Sequence, residues 1–110
     1  MGEYYGRLPF MPDMAALIMT GDKVCTSRTK YENYAHEGDR VKVQSGKKEA
    51  VIRIMNVEHR PLWFVSKFLF RAEGFETPGK FIEKWEEIHP RAGFRPTQKV
   101  WVYWFELVKE

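Results

Sequence analysis

The sequence predicts an α+β protein, built as a small mixed β-barrel of about five strands with two to three short helices packed on its outside. Apolar or alternating segments bounded by glycine turns predict the strands. Other segments carry apolar residues at helical spacing, and two of these lie on a long connection before the last strand. Because the regular β-α alternation of a doubly wound fold is missing from the pattern, a barrel accommodates this order best.

Three segments predict helices. The first begins at Pro12 and ends near Gly21, which is suited to close it in the left-handed conformation. The second lies within 60–74, after a proline. The third, 77–90, has the clearest pattern, because Thr77 suits the N-cap and a proline follows at the first helical position. Its apolar stripe consists of Phe81, Trp85 and Ile88.

The strand pattern occurs at 23–28, twice within 37–60, and at 99–108. A turn at Ser45 and Gly46 separates the two strands of 37–60, and the second of them is so apolar that we expect it to be deeply buried. The last strand carries apolar or aromatic residues on both faces, which is typical of a central strand.

Length and composition limit the classes of protein that this chain can represent. At 110 residues, the range 1–110 is expected to form one domain. A formal charge of +3 weakly favours phosphate-bearing partners. One cysteine cannot form an internal disulfide, which suits a reducing compartment.

Targeting and metal-binding signals are missing from the sequence pattern. The first ten residues do not read as a signal peptide, and no apolar run reaches the roughly 18 residues of a membrane helix. We therefore expect a cytoplasmic protein without a membrane partner, and no protein partner is evident. The histidines His36, His59 and His89 are far apart, so we expect no metal site and no cofactor.

Two blocks of sequence resemble the ASCH domain family, which belongs to the PUA-like β-barrels. The first is "TGDKVCTSR" followed by "EGDRVKV", and it contains the family pattern of glycine, lysine, threonine and arginine. The second, 71–90, resembles the glutamate–glycine step of the family and the amphipathic helix that follows it. The matching positions of the first block are Gly21, Lys23, Thr26, Arg28, Gly38 and Asp39.

The resemblance implies a function in RNA or nucleoside chemistry. Related PUA domains bind RNA, and some small ASCH proteins resemble amidohydrolases that remove the acetyl group from acetylcytidine. The catalytic positions of those proteins match Lys23, Thr26 and Glu73 here. We therefore expect recognition of RNA or a modified nucleoside, with hydrolysis of the amide of an N-acylated cytidine as the preferred chemistry. A non-catalytic RNA-binding module is the first alternative, and an RNA-cleaving enzyme is the second.

Strand geometry adds to this interpretation of the first block. Alternation places Thr26 and Arg28 on one face of their strand, so both can point into one pocket. Lys23 can hold a developing oxyanion or, as a neutral amine, accept the proton of Thr26. Arg28 can hold a ligand or form an ion pair, with Glu73 as one partner for it. Glu76 competes with Glu73 as the carboxylate of the site.

Three more residues are candidate ligand contacts. Tyr31 and Tyr34 follow Arg28 in a polar loop, where they can stack on a base or anchor the loop to the barrel. Arg91 lies in the basic stretch "HPRAGFRP" and can bind a phosphate or remain solvated. Cys25 is interpreted as a small buried apolar residue.

Overall fold

The computed structural model describes residues 4–108, which contain three helices and four strands. Residues 1–3 and 109–110, which the predicted single domain includes, lie outside the described residues. Within the described range, no helix is both long enough and apolar enough to cross a membrane. In chain order the elements are α1 (Pro12–Met19), β1 (Cys25–Arg28), β2 (Arg40–Ser45), β3 (Lys48–Pro61), α2 (Leu62–Phe68), α3 (Pro78–Ile88) and β4 (Lys99–Val108).

The strands form one curled sheet of half-barrel shape in the order β1-β4-β3-β2, and neighbouring strands are antiparallel. An isolated parallel bridge joins Gly6 to Val41 of β2 and adds a further extended segment. The α+β class, the helices and the barrel-like sheet are confirmed. About five strands were expected, and the described part of the chain contains four. The isolated bridge at Gly6 is the only further β-pairing in that part.

The central position of β4 is confirmed, since it pairs with β1 on one side and β3 on the other. The expectation that the second strand of the hairpin is deeply buried is wrong for much of its length. Ile52 and Ile54 are buried, but Met55 is 47% exposed. The register with β4 shifts between Ile54 and Asn56, and this bulge turns Met55 outward.

Each face of the sheet has its own core. On one face, Ile18 of α1 packs in a cluster that includes Tyr103. On the other face, Val65 of α2 and Trp85 of α3 pack in a cluster with Val102. The two clusters receive alternate residues of β4, as the period of two in a strand requires. The helices therefore enclose the sheet from both sides.

The helix boundaries follow the predicted capping signals. Thr77 Oγ1 accepts a hydrogen bond of 3.1 Å from the backbone N–H of Lys80, so Thr77 is the N-cap of α3. Beyond α1, Gly21 has a φ of +85°, a conformation that residues with a side chain rarely adopt.

An ion pair joins the two helices that lie on opposite faces of the sheet. Lys84 Nζ of α3 lies 2.9 Å from Asp13 Oδ2 of α1. The hydrogen bond from Lys84, together with its charge, holds the pKa of Asp13 below its ordinary value of 3.8, against the opposing effect of burial. The hydrogen bond to Asp13 also raises the pKa of Lys84 above its ordinary value of 10.5.

We expect Asp13→Asn to lower the free energy of unfolding by about 0.2–1 kcal/mol near neutral pH, because the pair is partly solvated. The depressed pKa of Asp13 means that this contribution is present above pH 3.8 and is lost as the pH falls through the folded-state value. The raised pKa of Lys84 means that loss on the alkaline side begins only above pH 10.5. Urea midpoints of both proteins at acid and neutral pH measure the difference; a difference that persists in strong acid contradicts the assignment.

Candidate functional site

A cavity of about 360 Å³ lies beside β1, between α1 and α3. Because β1 is an edge strand, residues from both faces of the sheet reach this cavity. Thr26 and Arg28 share one face, since they pair with Tyr103 and Trp101 of β4. Ser27 belongs to the other face and also lines the cavity.

A buried ion pair forms one wall of the cavity. Lys23 Nζ lies 3.1 Å from Glu73 Oε1 and donates a second hydrogen bond of 2.9 Å to the backbone carbonyl of Glu73. Each of the two residues is only 3% exposed. The backbone N–H groups of Val24 and Cys25 both donate to the carbonyl of Ala72, which fixes the two segments side by side. The pair is therefore held by the backbone as well as by charge.

Ser27 completes the surroundings of the carboxylate. Its hydroxyl donates a hydrogen bond of 2.6 Å to Glu73 Oε2, while Lys23 occupies Oε1. Sequence reasoning missed Ser27, because strand alternation places it on the face opposite Thr26. Ser27 reaches the cavity because β1 is at the edge of the sheet, and the spacing of residues in the sequence does not reveal that position. Both oxygens of Glu73 are thus hydrogen-bonded.

Thr26 is 7% exposed and lines the same cavity. Among the hydrogen bonds of residues 4–108, none involves its hydroxyl, so this group is available to a ligand or to water. The structure thus brings the predicted residues Lys23, Thr26 and Glu73 to one cavity. The competing carboxylate, Glu76, is 85% exposed and pairs with Lys80 on the surface.

Arg28 lies at the rim of the cavity. Its guanidinium donates to the carbonyl of Pro9, lies 3.8 Å from Glu32 Oε1, and stands 5.0 Å from the ring centre of Phe10. Burial lowers the pKa of Arg28, and the negative charge of Glu32 opposes that shift. Its ion-pair partner is therefore Glu32 rather than the Glu73 considered from the sequence.

The remaining predicted contacts lie elsewhere. Tyr31, Tyr34 and Arg91 are not among the residues that line the cavity. Tyr31 packs edge-on against Trp101, with ring centroids 5.1 Å apart, whereas Tyr34 and Arg91 are exposed. A ligand role for these three residues therefore requires a surface beyond the cavity. Cys25 is fully buried, and burial raises the pKa of its thiol far above the ordinary value, as expected of an inert apolar side chain.

Aromatic side chains form another part of the cavity wall. Phe81 and Trp85 of α3 line the cavity, and His89 packs on Trp85 with ring centroids 4.3 Å apart. Burial lowers the pKa of His89, which favours the neutral imidazole. The sequence pattern places Trp85 in the apolar stripe of the helix, and in the structure it contributes to both the core and the cavity.

Gly74 determines how closely the carboxylate segment approaches Lys23. Its φ is +102°, and a Cβ at this position lies 3.1 Å from Leu17 Cδ1 and 3.3 Å from Lys23 Cβ. We expect Gly74→Ala to destabilise the fold by about 1–3 kcal/mol through backbone strain, and also to displace Lys23. Urea denaturation measures the effect. The matched control is Gly46→Ala, where φ is +61° and no atom lies within 4 Å; equal losses in both variants contradict a packing role for Gly74.

Within residues 4–108, no group of three or more histidine, cysteine, aspartate or glutamate side chains lies close enough to hold a metal ion. The polar residues grouped around the ion pair in this cavity are Lys23, Glu73, Thr26 and Ser27, and an amine, a carboxylate and hydroxyls are suited to acid–base and nucleophilic chemistry.

Comparison with solved structures identifies the fold. A protein from Enterococcus faecalis V583, described as EF3133 of family DUF984, is 25% identical with a TM-score of 0.66, and the match covers 87% of this chain and 67% of that one. An ASCH domain from Lactobacillus crispatus JV V101 is 21% identical with a TM-score of 0.66, covering 86% of this chain and 70% of that one. A mutant ASCH protein from Zymomonas mobilis is 14% identical with a TM-score of 0.56, covering 91% and 69%.

No protein-family model matches the sequence, and no curated protein sequence matches it. The fold likeness nevertheless agrees with the motif of residues 21–28, and the matches span most of the chain. The chain therefore has an ASCH-type fold.

Proposed function

We propose that this protein binds an N-acylated cytidine in the cavity beside β1 and hydrolyses its amide. The observation that carries the proposal is the buried pair of Lys23 and Glu73, held on the wall of a cavity that Thr26 also lines. A buried pair of opposite charges costs desolvation energy, and such pairs recur at functional sites. A volume of about 360 Å³ lies in the lower range of small-molecule sites, which suits a nucleoside.

Each wall of the cavity has a role in this proposal. The aromatic wall of Phe81 and Trp85 supports the planar base. Arg28 at the rim holds the polar part of the nucleoside. The acyl group lies against Thr26 and the ion pair, where the polar side chains meet.

The reaction is an acyl transfer in two stages. Thr26 Oγ1 attacks the carbonyl carbon of the amide, and its proton passes to the pair of Lys23 and Glu73. The bond between carbon and the exocyclic nitrogen then breaks, and that nitrogen leaves with the proton as the amine of cytidine. Water attacks the acyl ester on Thr26, releases the carboxylic acid and restores the hydroxyl. The balance is one water consumed for each amide cleaved.

The ion pair sets the order of the proton transfers. As an ammonium, Lys23 has no lone pair, so it first passes a proton to Glu73 across the 3.1 Å contact and then accepts one from Thr26. An ammonium carries three donors, and two of them bond to Glu73. When Lys23 is charged, its third donor is available to the oxyanion of the tetrahedral intermediate. Ser27 holds the second oxygen of Glu73 and thereby orients the carboxylate.

Incubation of the purified protein with acetylcytidine, followed by chromatography for cytidine and acetate, tests the proposal. We expect both products in equal amounts from the wild type and none from Lys23→Met that has been shown to be folded. Release of cytidine by both proteins at the same rate would contradict the role assigned to Lys23. Absence of turnover in a folded wild type would remove the amidohydrolase proposal and favour the RNA-binding alternative, whose affinity falls steeply with salt.

A further inference from the structure

Three side chains form a row across the sheet, beginning at the rim of the cavity. Trp101 of β4 pairs in register with Arg28 of β1 and with His59 of β3. Directly paired residues of neighbouring strands lie on the same face of a sheet, so these side chains stand beside one another. We name Arg28, Trp101 and His59 the sheet-face row. Arg28 also lines the cavity, so the row is continuous with it.

The aromatic members of the sheet-face row are stacked. The rings of His59 and Trp101 are 3° from parallel, with centroids 4.0 Å apart. His59 remains exposed, and Trp101 is partly buried. Tyr31 contacts the same indole edge-on at 5.1 Å and is itself 40% exposed. The row thus presents flat rings to solvent next to the cavity, and the packing of Trp101 in the core fixes their position.

Positive charge accompanies these rings. Lys99 lies two residues before Trp101 on the same strand, so its exposed side chain belongs to the same face. Lys30 and Arg28 line the cavity itself. The acidic neighbour Glu32 is paired with Arg28. Aromatic rings interleaved with cations are the arrangement that binds unpaired bases together with their phosphates.

We propose that the sheet-face row binds the nucleotide next to the one in the cavity, so that the preferred substrate class is single-stranded RNA and the free nucleoside is a poorer substrate. This inference rests on the proposed function, and it adds a second subsite to it. The modified base enters the cavity, the phosphate passes Arg28 and Lys30, and the neighbouring base stacks on His59. Stacking tolerates any base, because every base has a flat aromatic face, so little sequence preference is expected at this position.

Binding of short fluorescent RNAs measured by anisotropy tests the subsite. We expect His59→Ala to weaken binding of single-stranded RNA about tenfold. Its salt dependence should stay the same, because the variant removes stacking and no phosphate contact. Duplex RNA, whose bases are already stacked on each other, should bind weakly and equally to both proteins. The matched control is Trp63→Ala. Trp63 is an exposed aromatic residue of α2, and this helix packs against the other face of the sheet.

Unchanged binding in His59→Ala, or an equal loss in Trp63→Ala, would overturn the inference, as would failure of the wild type to bind single-stranded RNA. A second measurement compares acetylcytidine within an oligonucleotide to the free nucleoside. We expect the wild type to hydrolyse the oligonucleotide with a higher kcat/KM than the free nucleoside. In His59→Ala the ratio of the two kcat/KM values should fall about tenfold. If the wild type binds RNA in a way that depends on His59 but hydrolyses neither substrate, only the proposed chemistry is contradicted. Hydrolysis with RNA binding independent of His59 would contradict the subsite alone.

Discussion

Glu73→Gln is expected to lower the free energy of unfolding by about 3–5 kcal/mol, because it leaves the ammonium of Lys23 buried without its counter-charge. Lys23 Nζ is 3.1 Å from Glu73 Oε1, and both side chains are almost inaccessible to water. Glutamine keeps the shape of the side chain and differs mainly in charge. The loss is a large share of the roughly 5–15 kcal/mol by which domains of this size are stable.

Urea denaturation followed by circular dichroism measures this effect. With a slope of roughly 1–3 kcal/mol per molar urea, we expect the midpoint to fall by about 1 M or more. The control is Glu76→Gln, an identical substitution three residues away, where the side chain is 85% exposed and its nearest cation is 3.7 Å away. That variant should change stability by less than about 0.5 kcal/mol. Equal midpoints for the two variants would contradict a buried, charged pair.

Lys23→Met combined with Glu73→Gln separates lost charge from lost packing. If the penalty of Glu73→Gln arises from an unpaired ammonium, removing that ammonium should recover part of the stability. We therefore expect the double variant to be about 0.5–3 kcal/mol more stable than the sum of the single changes. Additive losses would instead indicate that both side chains act only by filling space.

Local patterns predicted the helices and strands well, because caps and periodicity act over a few residues. Thr77 and the apolar stripe after it determine α3 independently of the rest of the chain. The bulge at Met55 was not predictable, since it depends on the register between β3 and β4. A pattern of apolar residues alone assigned Met55 to the interior, and the bulge turns it outward.

The residues of the candidate site also fall into those that local sequence motifs identify and those that depend on strand pairing. The motif around Lys23 and Thr26 identified two of its members, and the glutamate–glycine step identified Glu73. Ser27 was missed because its contact with Glu73 spans 46 residues of sequence and depends on β1 being at the edge of the sheet. The stacking of His59 on Trp101 likewise arises from pairing of β3 with β4, which no spacing within either strand reveals.

If the proposed reaction is correct, Thr26→Val should reduce turnover of acetylcytidine on the order of 10³-fold or more, because it removes the attacking hydroxyl. Valine keeps the β-branched shape that suits a strand, so the fold should remain intact. Thr26→Ser keeps a hydroxyl and should retain measurable turnover. Steady-state kinetics on the nucleoside, with circular dichroism to verify folding, measures both variants.

Ser27→Ala distinguishes the attacking residue from the residue that orients the carboxylate. Ser27 is the hydroxyl bonded to Glu73, at 2.6 Å, whereas Thr26 makes no such bond among the described residues. If Ser27 only orients Glu73, its removal should slow turnover much less than Thr26→Val and should shift the pH profile of kcat. Fragmentation of the peptide that contains residues 26 and 27, by tandem mass spectrometry of quenched reactions, should locate the acetyl group on Thr26. Full activity in Thr26→Val, with none in Ser27→Ala, would reverse the assignment, because the hydroxyl already bonded to a carboxylate would then be the one that attacks.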